Sequence, residues 1–360
     1  MLIFTNREID QGGTEAAVTA RYKPLLDELS LADVDVRGNG KGWRLDKVER
    51  MVSDATAVAR LIAVLAADKP VLLYVHGNNN TPATCFTRCQ ALEQNYNVNV
   101  VGFSWTSEGY LPDGQDGASG VAAPGDDPDA EDDLSRVSKA NASEGAVQRK
   151  ARRYGQAKVN AQQSAAALAR FLRLVTAARL ATMKQPFSAA FHSLGCHFLH
   201  YGIEREGAVE ALAAAQNVAL IAGCTGAAKH AAWVKRINPL RRVYITYTHA
   251  DTVLAAAKFI DGDTKLGSDP GDELLTGPKY RYVCFDGAAK MKIGAHRYFV
   301  PDAGKELSKK ATLLFGRIFS SAADFSPPRE EERTVYPVGC EPDGSVCYMG
   351  RPTALEPNGP

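Results

Sequence analysis

Short apolar runs rich in β-branched residues recur along the chain, and segments with helical periodicity separate them. An apolar run without polar interruption is typical of a strand that is buried on both faces of a sheet. The runs predict strands at Leu2–Thr5, Val71–Val75, Val98–Trp105, Phe187–Phe191, Val218–Ala222, Val243–Thr248 and Arg281–Phe285.

The intervening segments carry apolar residues on one helical face. Within Val52–Ala66, apolar side chains recur at Val58, Leu61, Ile62 and Leu65, which is helical spacing. A second stripe consists of Val159, Leu168, Phe171, Leu172 and Val175. Because strands and helices alternate, the sequence predicts the α/β class, with a mostly parallel central sheet and helices on both faces.

Two segments depart from this alternation. Residues 111–135 contain eight acidic residues and no Lys or Arg, and residues 136–158 are then basic. We interpret 106–157 as a polar insertion in one α/β domain that spans 1–301, with an exposed loop and a lid over a ligand site at the sheet edge as the two alternatives. In the tail, 302–360, a helix from Lys305 to about Phe319 and a hairpin around Asp343-Gly344 are predicted, either to cover a sheet edge or to contact a partner or a second copy.

Charge and cysteine usage narrow the function classes. The net charge is +1, from 42 basic and 41 acidic residues. This balance provides no excess of positive charge that would attract nucleic acid or an anionic membrane. No apolar stretch is long enough to cross a bilayer, and Met1–Arg7 does not resemble a secretory signal. The seven cysteines, an odd number, favour reduced thiols and a cytoplasmic protein, with delivery by a dedicated secretion system left open. Helical spacing of Cys85 with Cys89, and of Cys196 with His200, favours buried structural thiols over zinc, so neither a metal nor a cofactor is expected.

The segment around Ser193 carries the strongest chemical signal. His192-Ser193-Leu194-Gly195 follows an apolar strand and opens a helical stretch. A serine on such a sharp turn presents its hydroxyl above the sheet at the positive end of the helix. The turn usually requires small residues two before and two after the serine. Gly195 meets this requirement and Phe191 does not.

A second signal follows the strand Val71–Val75. His76-Gly77-Asn78-Asn79-Asn80 forms a glycine-containing loop that can aim the backbone N–H of Asn78 at an oxyanion, together with the N–H of Leu194. Residues near these two segments should line the substrate pocket. The candidates are His76, Asn79, Trp105 and His192.

A nucleophilic serine needs a histidine base that is held by a carboxylate. In this architecture the order along the chain is serine, acid, histidine. Only His249 and His296 lie far enough beyond Ser193, and His249 leaves no room for an intervening acid, so His296 is predicted as the base. Asp251, after the penultimate strand, is the first choice of acid, and Asp286 is the alternative.

Several of these segments occur together in a known order. Phe4-Thr5-Asn6-Arg7, the 76–80 loop, Phe103-Ser104-Trp105-Thr106-Ser107, the segment at Ser193, His249-Ala250-Asp251 and Gly294-Ala295-His296 resemble the DUF900 group of α/β hydrolases. The resemblance spans about Leu2 to Phe299. It implies an α/β-hydrolase fold, an esterase-like activity and a triad of Ser193, Asp251 and His296. This chain departs from the group at Phe191, where a small residue is usual, and at Asn78, where an aromatic one is.

The sequence therefore predicts a serine hydrolase that cleaves an acyl bond, most simply a carboxylic ester, in a small-molecule or lipid substrate. Because a lipase usually has an apolar lid and this insertion is acidic, a soluble or polar substrate is favoured. Two alternatives stay open. One is a phospholipase or lipase effector that acts on membrane lipid. The other is a degenerate hydrolase scaffold that only binds a partner, which the bulk of Phe191 motivates.

Overall fold

The apolar runs form a sheet of 11 strands in the computed structural model. The structure describes residues 1–10, 17–18, 27–37, 42–110, 144–288, 296–300, 309–320, 335–340 and 347–349. The strands are β1 (Leu2–Thr5), β2 (Ile9–Asp10), β3 (Ala17–Val18), β4 (Ser30–Arg37), β5 (Gly42–Glu49), β6 (Val71–Val75), β7 (Asn99–Ser104), β8 (Phe187–His192), β9 (Asn217–Ile221), β10 (Arg242–Tyr247), β11 (Tyr280–Cys284), β12 (Val335–Cys340) and β13 (Cys347–Met349).

Helices follow most of the central strands. They are α1 (Asp54–Leu65), α2 (Pro82–Tyr96), α3 (Glu144–Gln163), α4 (Ala165–Thr182), α5 (Leu194–Gly202), α6 (Ala208–Ala213), α7 (His230–Val234), α8 (Thr252–Asp261) and α9 (Lys309–Phe319). Within the described part of the chain, no helix is long and apolar enough to span a membrane.

The sheet order is β13-β12-β11-β10-β9-β8-β6-β7-β1-β4-β5. Neighbouring strands from β12 through to β1 are parallel, while β4, β5 and β13 pair antiparallel at the two edges. Every residue of β6, β8 and β9 is buried, as expected for central strands covered on both faces. The α/β class with a mostly parallel sheet is therefore confirmed. The carboxyl ends of β6, β8 and β10 lie at one edge, where an open parallel sheet binds its ligands.

The predicted strands agree with β1, β6, β7, β8, β9, β10 and β11 to within a residue at either end. The sequence analysis missed β4 and β5, which extend the sheet beyond β1 as an antiparallel pair. In the tail, the helix α9 and the strands β12 and β13 correspond to the predicted helix and hairpin. The predicted start of the helix at Lys305, the segment 321–334, and the predicted turn at Asp343-Gly344 lie outside the described residues.

Two predictions differ from the structure. The stripe from Val159 to Val175 is not one helical face, because the chain passes from α3 to α4 at Ser164 and Val159 is 43% exposed. The 106–157 segment is not exposed at its ends. Thr106, Ser107 and Glu108 are buried, and α3 buries Tyr154 and Ala157. Residues 111–143, which contain the acidic run, lie outside the described residues.

Phe191 belongs to the core. It lies on β8 between Val75 of β6 and Leu220 of β9, and its side chain is fully buried. Its carbonyl oxygen accepts a hydrogen bond from the Cys196 thiol at 3.1 Å. Phe191 is therefore part of the hydrophobic core, two residues before Ser193.

Phe191→Ala should lower the free energy of unfolding by about 3–5 kcal/mol, because truncating a buried ring removes apolar contacts and leaves a cavity. Urea unfolding followed by circular dichroism measures the change. Leu180→Ala is the matched control, since Leu180 is exposed on α4 and its loss should cost less than about 0.5 kcal/mol. Equal stabilities of the two variants would contradict the packing described for Phe191.

Candidate active site

Ser193 occupies a strained turn between β8 and α5. Its backbone has φ 53° and ψ −119°, which an L residue other than glycine rarely adopts. Three backbone hydrogen bonds hold it there. Its N–H donates to the carbonyl oxygen of Ile221 at 2.8 Å, and its own carbonyl oxygen accepts from the N–H groups of Cys196 and Cys224, each at 3.0 Å. The Ser193 hydroxyl does not cap α5.

Gly195 permits the close approach of α5 to the end of β6. A Cβ at position 195 would lie 2.8 Å from the carbonyl oxygens of Val75 and His76, so only glycine fits without moving the backbone. This approach places the first turn of α5, including Leu194, beside the loop that begins at His76. As the first residue of the helix, Leu194 has an N–H that the helix itself does not use.

Asp251 and His296 form a buried pair. The Nδ1 atom of His296 lies 2.6 Å from Oδ2 of Asp251, and both side chains are at most 1% exposed. The other carboxylate oxygen of Asp251 accepts from the N–H of Leu254 at 2.9 Å and caps α8. The carboxylate is therefore fixed by the helix that follows β10, and Nε2 is the imidazole nitrogen on the side of the ring that faces away from the carboxylate.

His192 links the serine turn to His296. It precedes Ser193 in the chain, and its ring centroid lies 4.8 Å from that of His296. Its Nε2 lies 3.2 Å from the carbonyl oxygen of His296, so the proton of His192 is on Nε2 and donates to that oxygen. We therefore interpret His192, which the sequence placed in the pocket lining, as a positioning residue for His296.

Two further contacts hold the segment 296–300. The hydroxyl of Tyr298 lies 2.7 Å from Oγ1 of Thr246 on β10, and the hydroxyl of Tyr96 donates to the carbonyl oxygen of Phe299 at 2.5 Å. The loop predicted to carry His296, from Asp286 to Ala295, falls partly on 289–295, which lie outside the described residues. These two contacts hold the chain on the carboxyl side of His296.

Asp286, the alternative acid, pairs with a different histidine. Its Oδ2 lies 2.5 Å from Nδ1 of His249, and both side chains are substantially exposed. Burial acts to raise the pKa of the Asp286 carboxyl, but hydrogen bonds from His249 and Thr248 outweigh it and hold this pKa below its usual range. The structure therefore brings Asp251, and not Asp286, to His296.

The loop 77–80 is fixed by polar contacts on both sides. Asn79 adopts φ 53°, and its N–H donates to the carbonyl oxygen of Ser107 at 2.9 Å. The Asn79 side-chain oxygen accepts from Arg153 at 3.1 Å, so this residue ties the loop to α3. The Asn80 side chain donates back to the carbonyl oxygens of Gly77 and Asn78 at 3.2 and 2.7 Å, and its oxygen accepts from Arg88. Asn78 therefore sits in a loop that several hydrogen bonds hold in place.

A buried ion pair, which was not predicted from the sequence, holds this loop through the Asn80 carbonyl oxygen. Both carboxylate oxygens of Glu108 accept from the Arg7 guanidinium at 2.9 Å, and both side chains are essentially unexposed. Burial raises the pKa of the Glu108 carboxyl, and the Arg7 charge opposes that rise. Arg7 also donates to Ser104 Oγ at 3.1 Å and to the carbonyl oxygens of Asn80 and Trp105. One side chain thus joins the ends of β1 and β7 to the loop after β6.

His76 and Trp105, both predicted to line the pocket, are fully buried and bind each other. The Trp105 N–H donates to Nε2 of His76 at 3.1 Å, and its indole N–H donates to the His76 carbonyl oxygen at 2.9 Å. Since His76 Nε2 accepts, its proton is on Nδ1, which lies 3.0 Å from the carbonyl oxygen of Gly77. His76 is therefore engaged in holding the loop and is not placed to act as a base.

The cysteines that suggested zinc spacing are buried. Burial raises the pKa of the Cys89 and Cys196 thiols above their usual range, which disfavours the thiolate form that binds metals. Among the described residues, a different group brings three metal-ligating side chains together: His249, Cys284 and Asp286.

Three features lie near one another at this sheet edge: a serine on a strained strand-to-helix turn, a buried histidine–carboxylate pair, and a hydrogen-bonded glycine-containing loop. In enzymes of acyl transfer, features of these kinds serve as nucleophile, base and oxyanion site. Comparison with protein-family models, with curated proteins and with solved structures finds no match for this chain. The resemblance to the DUF900 group therefore stays a prediction, and the case for function is made from the site.

Glu108→Gln should lower the free energy of unfolding by about 3–5 kcal/mol, because the Arg7 charge would remain buried without its partner. Urea unfolding measures this loss. Asp46→Asn is the control, since it removes an exposed ion pair with Arg44 and should cost about 1 kcal/mol or less. If the two variants lose the same stability, the Arg7–Glu108 pair does not anchor the site.

Proposed function

We propose that the protein is a serine hydrolase of the α/β-hydrolase type that cleaves a carboxylic ester through an acyl-enzyme on Ser193. One observation carries the proposal: the buried Asp251–His296 pair lies against His192, the residue next to a serine held at positive φ. Backbone strain of this kind is retained where it serves a function.

In the proposed reaction, Ser193 Oγ attacks the ester carbonyl carbon while His296 Nε2 accepts the hydroxyl proton. The Asp251 carboxylate orients the imidazole through Nδ1 and stabilises its positive charge. The tetrahedral intermediate then collapses, the C–O bond to the alcohol breaks, and the same proton passes from Nε2 to the leaving oxygen. Water then gives a proton to His296 Nε2 and attacks the acyl carbon. The bond from that carbon to Ser193 Oγ breaks, the proton passes from Nε2 to Oγ, and the carboxylic acid leaves.

The N–H groups of Asn78 and Leu194 are the proposed donors to the oxyanion. Gly195 brings the start of α5 against the end of β6, and the 77–80 loop is held by Ser107, Arg153 and the Arg7–Glu108 pair. Donors that are fixed before the reaction stabilise developing charge without reorganisation. The positive end of α5 adds to this stabilisation.

A polar substrate fits this site better than a lipid chain. The Asn78 side-chain oxygen is buried and has no hydrogen-bond partner among the described residues. Such an acceptor costs about 1–3 kcal/mol unless a donor reaches it. A hydroxyl or N–H group on the substrate, close to the acyl carbonyl, would supply that donor. The acidic composition of 111–135 favours the same substrate class.

Ser193→Ala should lower kcat for p-nitrophenyl acetate by about 10³-fold or more and leave the fold intact, because only the nucleophilic hydroxyl is lost. Steady-state hydrolysis and the melting temperature are measured together. Ser268→Ala is the matched control, since it removes a part-buried hydroxyl that bonds only to the Lys265 carbonyl oxygen in the described structure. Near-normal turnover by Ser193→Ala would reject Ser193 as the nucleophile. A wild type without turnover on any acyl ester would favour a binding scaffold.

Asp251→Asn should lower kcat by about 10²–10⁴-fold, because an amide neither orients His296 in the correct tautomer nor stabilises its cation. Asp286→Asn should change kcat by less than about threefold, since that carboxylate pairs with His249 at the surface. Comparing kcat for the two variants on one ester makes each the control of the other. The reverse ranking would move the acid to the end of β11.

A further inference from the structure

A second histidine–carboxylate pair lies at the same sheet edge as the triad, together with a cysteine. β10 and β11 are parallel neighbours, with Tyr247 opposite Cys284. His249 follows β10, Cys284 ends β11, and Asp286 is two residues further on. The ligand atoms of these three side chains all lie within 4.8 Å of one another. None of the three is used by the proposed hydrolytic reaction.

Hydrogen bonds orient the carboxylate for this position. Oδ1 of Asp286 accepts from the Thr248 hydroxyl and from the His249 N–H, each at 2.9 Å. Oδ2 is left to face Nδ1 of His249, at 2.5 Å. Ligating carboxylates are commonly fixed in this way, with one oxygen held by outer hydrogen bonds and the other turned to the metal.

We propose that His249, Cys284 and Asp286 bind a divalent transition-metal ion, with Zn²⁺ the best match. One imidazole nitrogen, one sulfur and one carboxylate oxygen form a donor set that zinc accepts, and three protein ligands leave a fourth tetrahedral position for water. The His249 and Asp286 side chains are 57% and 42% exposed, so an ion can reach them from solution. Two of the ligands are anchored to adjacent strand ends, which keeps the group together without the ion.

Binding has a defined proton balance. The Cys284 thiol binds as a thiolate, so its proton passes to solvent. The His249 proton that now faces Asp286 leaves Nδ1, and the tautomer that carries the proton on Nε2 binds the ion. Burial raises the pKa of the Cys284 thiol, so loss of this proton accompanies binding of the ion.

Titration of the reduced full-length chain with Co²⁺ tests the site, because cobalt replaces zinc in such sites and reports its ligands in the visible and near-ultraviolet spectrum. We expect one ion per chain, a thiolate-to-cobalt charge-transfer band, and displacement of cobalt by Zn²⁺.

Cys284→Ser should abolish the charge-transfer band, and His249→Gln and Asp286→Asn should each weaken binding by at least about tenfold. The matched control is the double variant Cys340→Ser/Cys347→Ser, which removes two other thiols and should bind as the wild type does. Melting temperatures establish that each variant is folded. Persistence of the band in Cys284→Ser, its loss in the double variant, or no binding by wild type at about 100 μM Co²⁺ would overturn the proposal. Ester hydrolysis is not a readout here, so the result does not depend on the proposed function.

Discussion

The backbone of Ser193 is the constraint on which the site depends. A serine at φ 53° is unfavourable by about 1–3 kcal/mol, and it persists because β9 and α5 both hydrogen-bond to it. The same turn forces α5 against the end of β6, which requires glycine at 195. The turn thus sets the positions of the serine hydroxyl, the first N–H of the helix and the neighbouring loop together. The geometry of the serine turn is therefore set by the strands and the helix on either side of it.

Two groups of contacts, one on each side of Ser193, hold the remaining polar groups of the site. The Arg7–Glu108 pair joins the ends of β1 and β7 to the 77–80 loop. His76, which follows β6, is hydrogen-bonded to Trp105, which follows β7. On the other side of Ser193, His192 and Tyr298 fix the segment that carries His296. Burying a polar or charged group is costly unless it is hydrogen-bonded, and Arg7, Glu108, His76 and Trp105 each hydrogen-bond to a neighbour that belongs to the site.

The central strands could be predicted because burial on both faces leaves a plain apolar run in the sequence. The order of serine, acid and histidine then followed from chain topology, which is why Asp251 and His296 could be named although 45 residues separate them. β4 was missed although Asp33 and Asp35 alternate with Val34 and Val36, the period of a strand buried on one face.

The anchoring pairs could not be predicted in the same way. Arg7 and Glu108 are 101 residues apart, and neither lies in a local pattern that indicates burial. Only the fold brings them together. Phe191 violated the expectation of a small residue before the serine. The structure accommodates it by burying the side chain in the core, on a strand that β6 and β9 flank.

The central claim is that Ser193 is an activated nucleophile. Incubation of the native chain with a fluorophosphonate, followed by digestion and mass spectrometry of the modified peptide, tests it directly. The account predicts one covalent phosphonate per chain, attached to Ser193, and no labelling after unfolding in urea, since activation requires the folded arrangement of Asp251 and His296. Labelling at another serine, equal labelling of the unfolded chain, or no labelling of the native protein would contradict it.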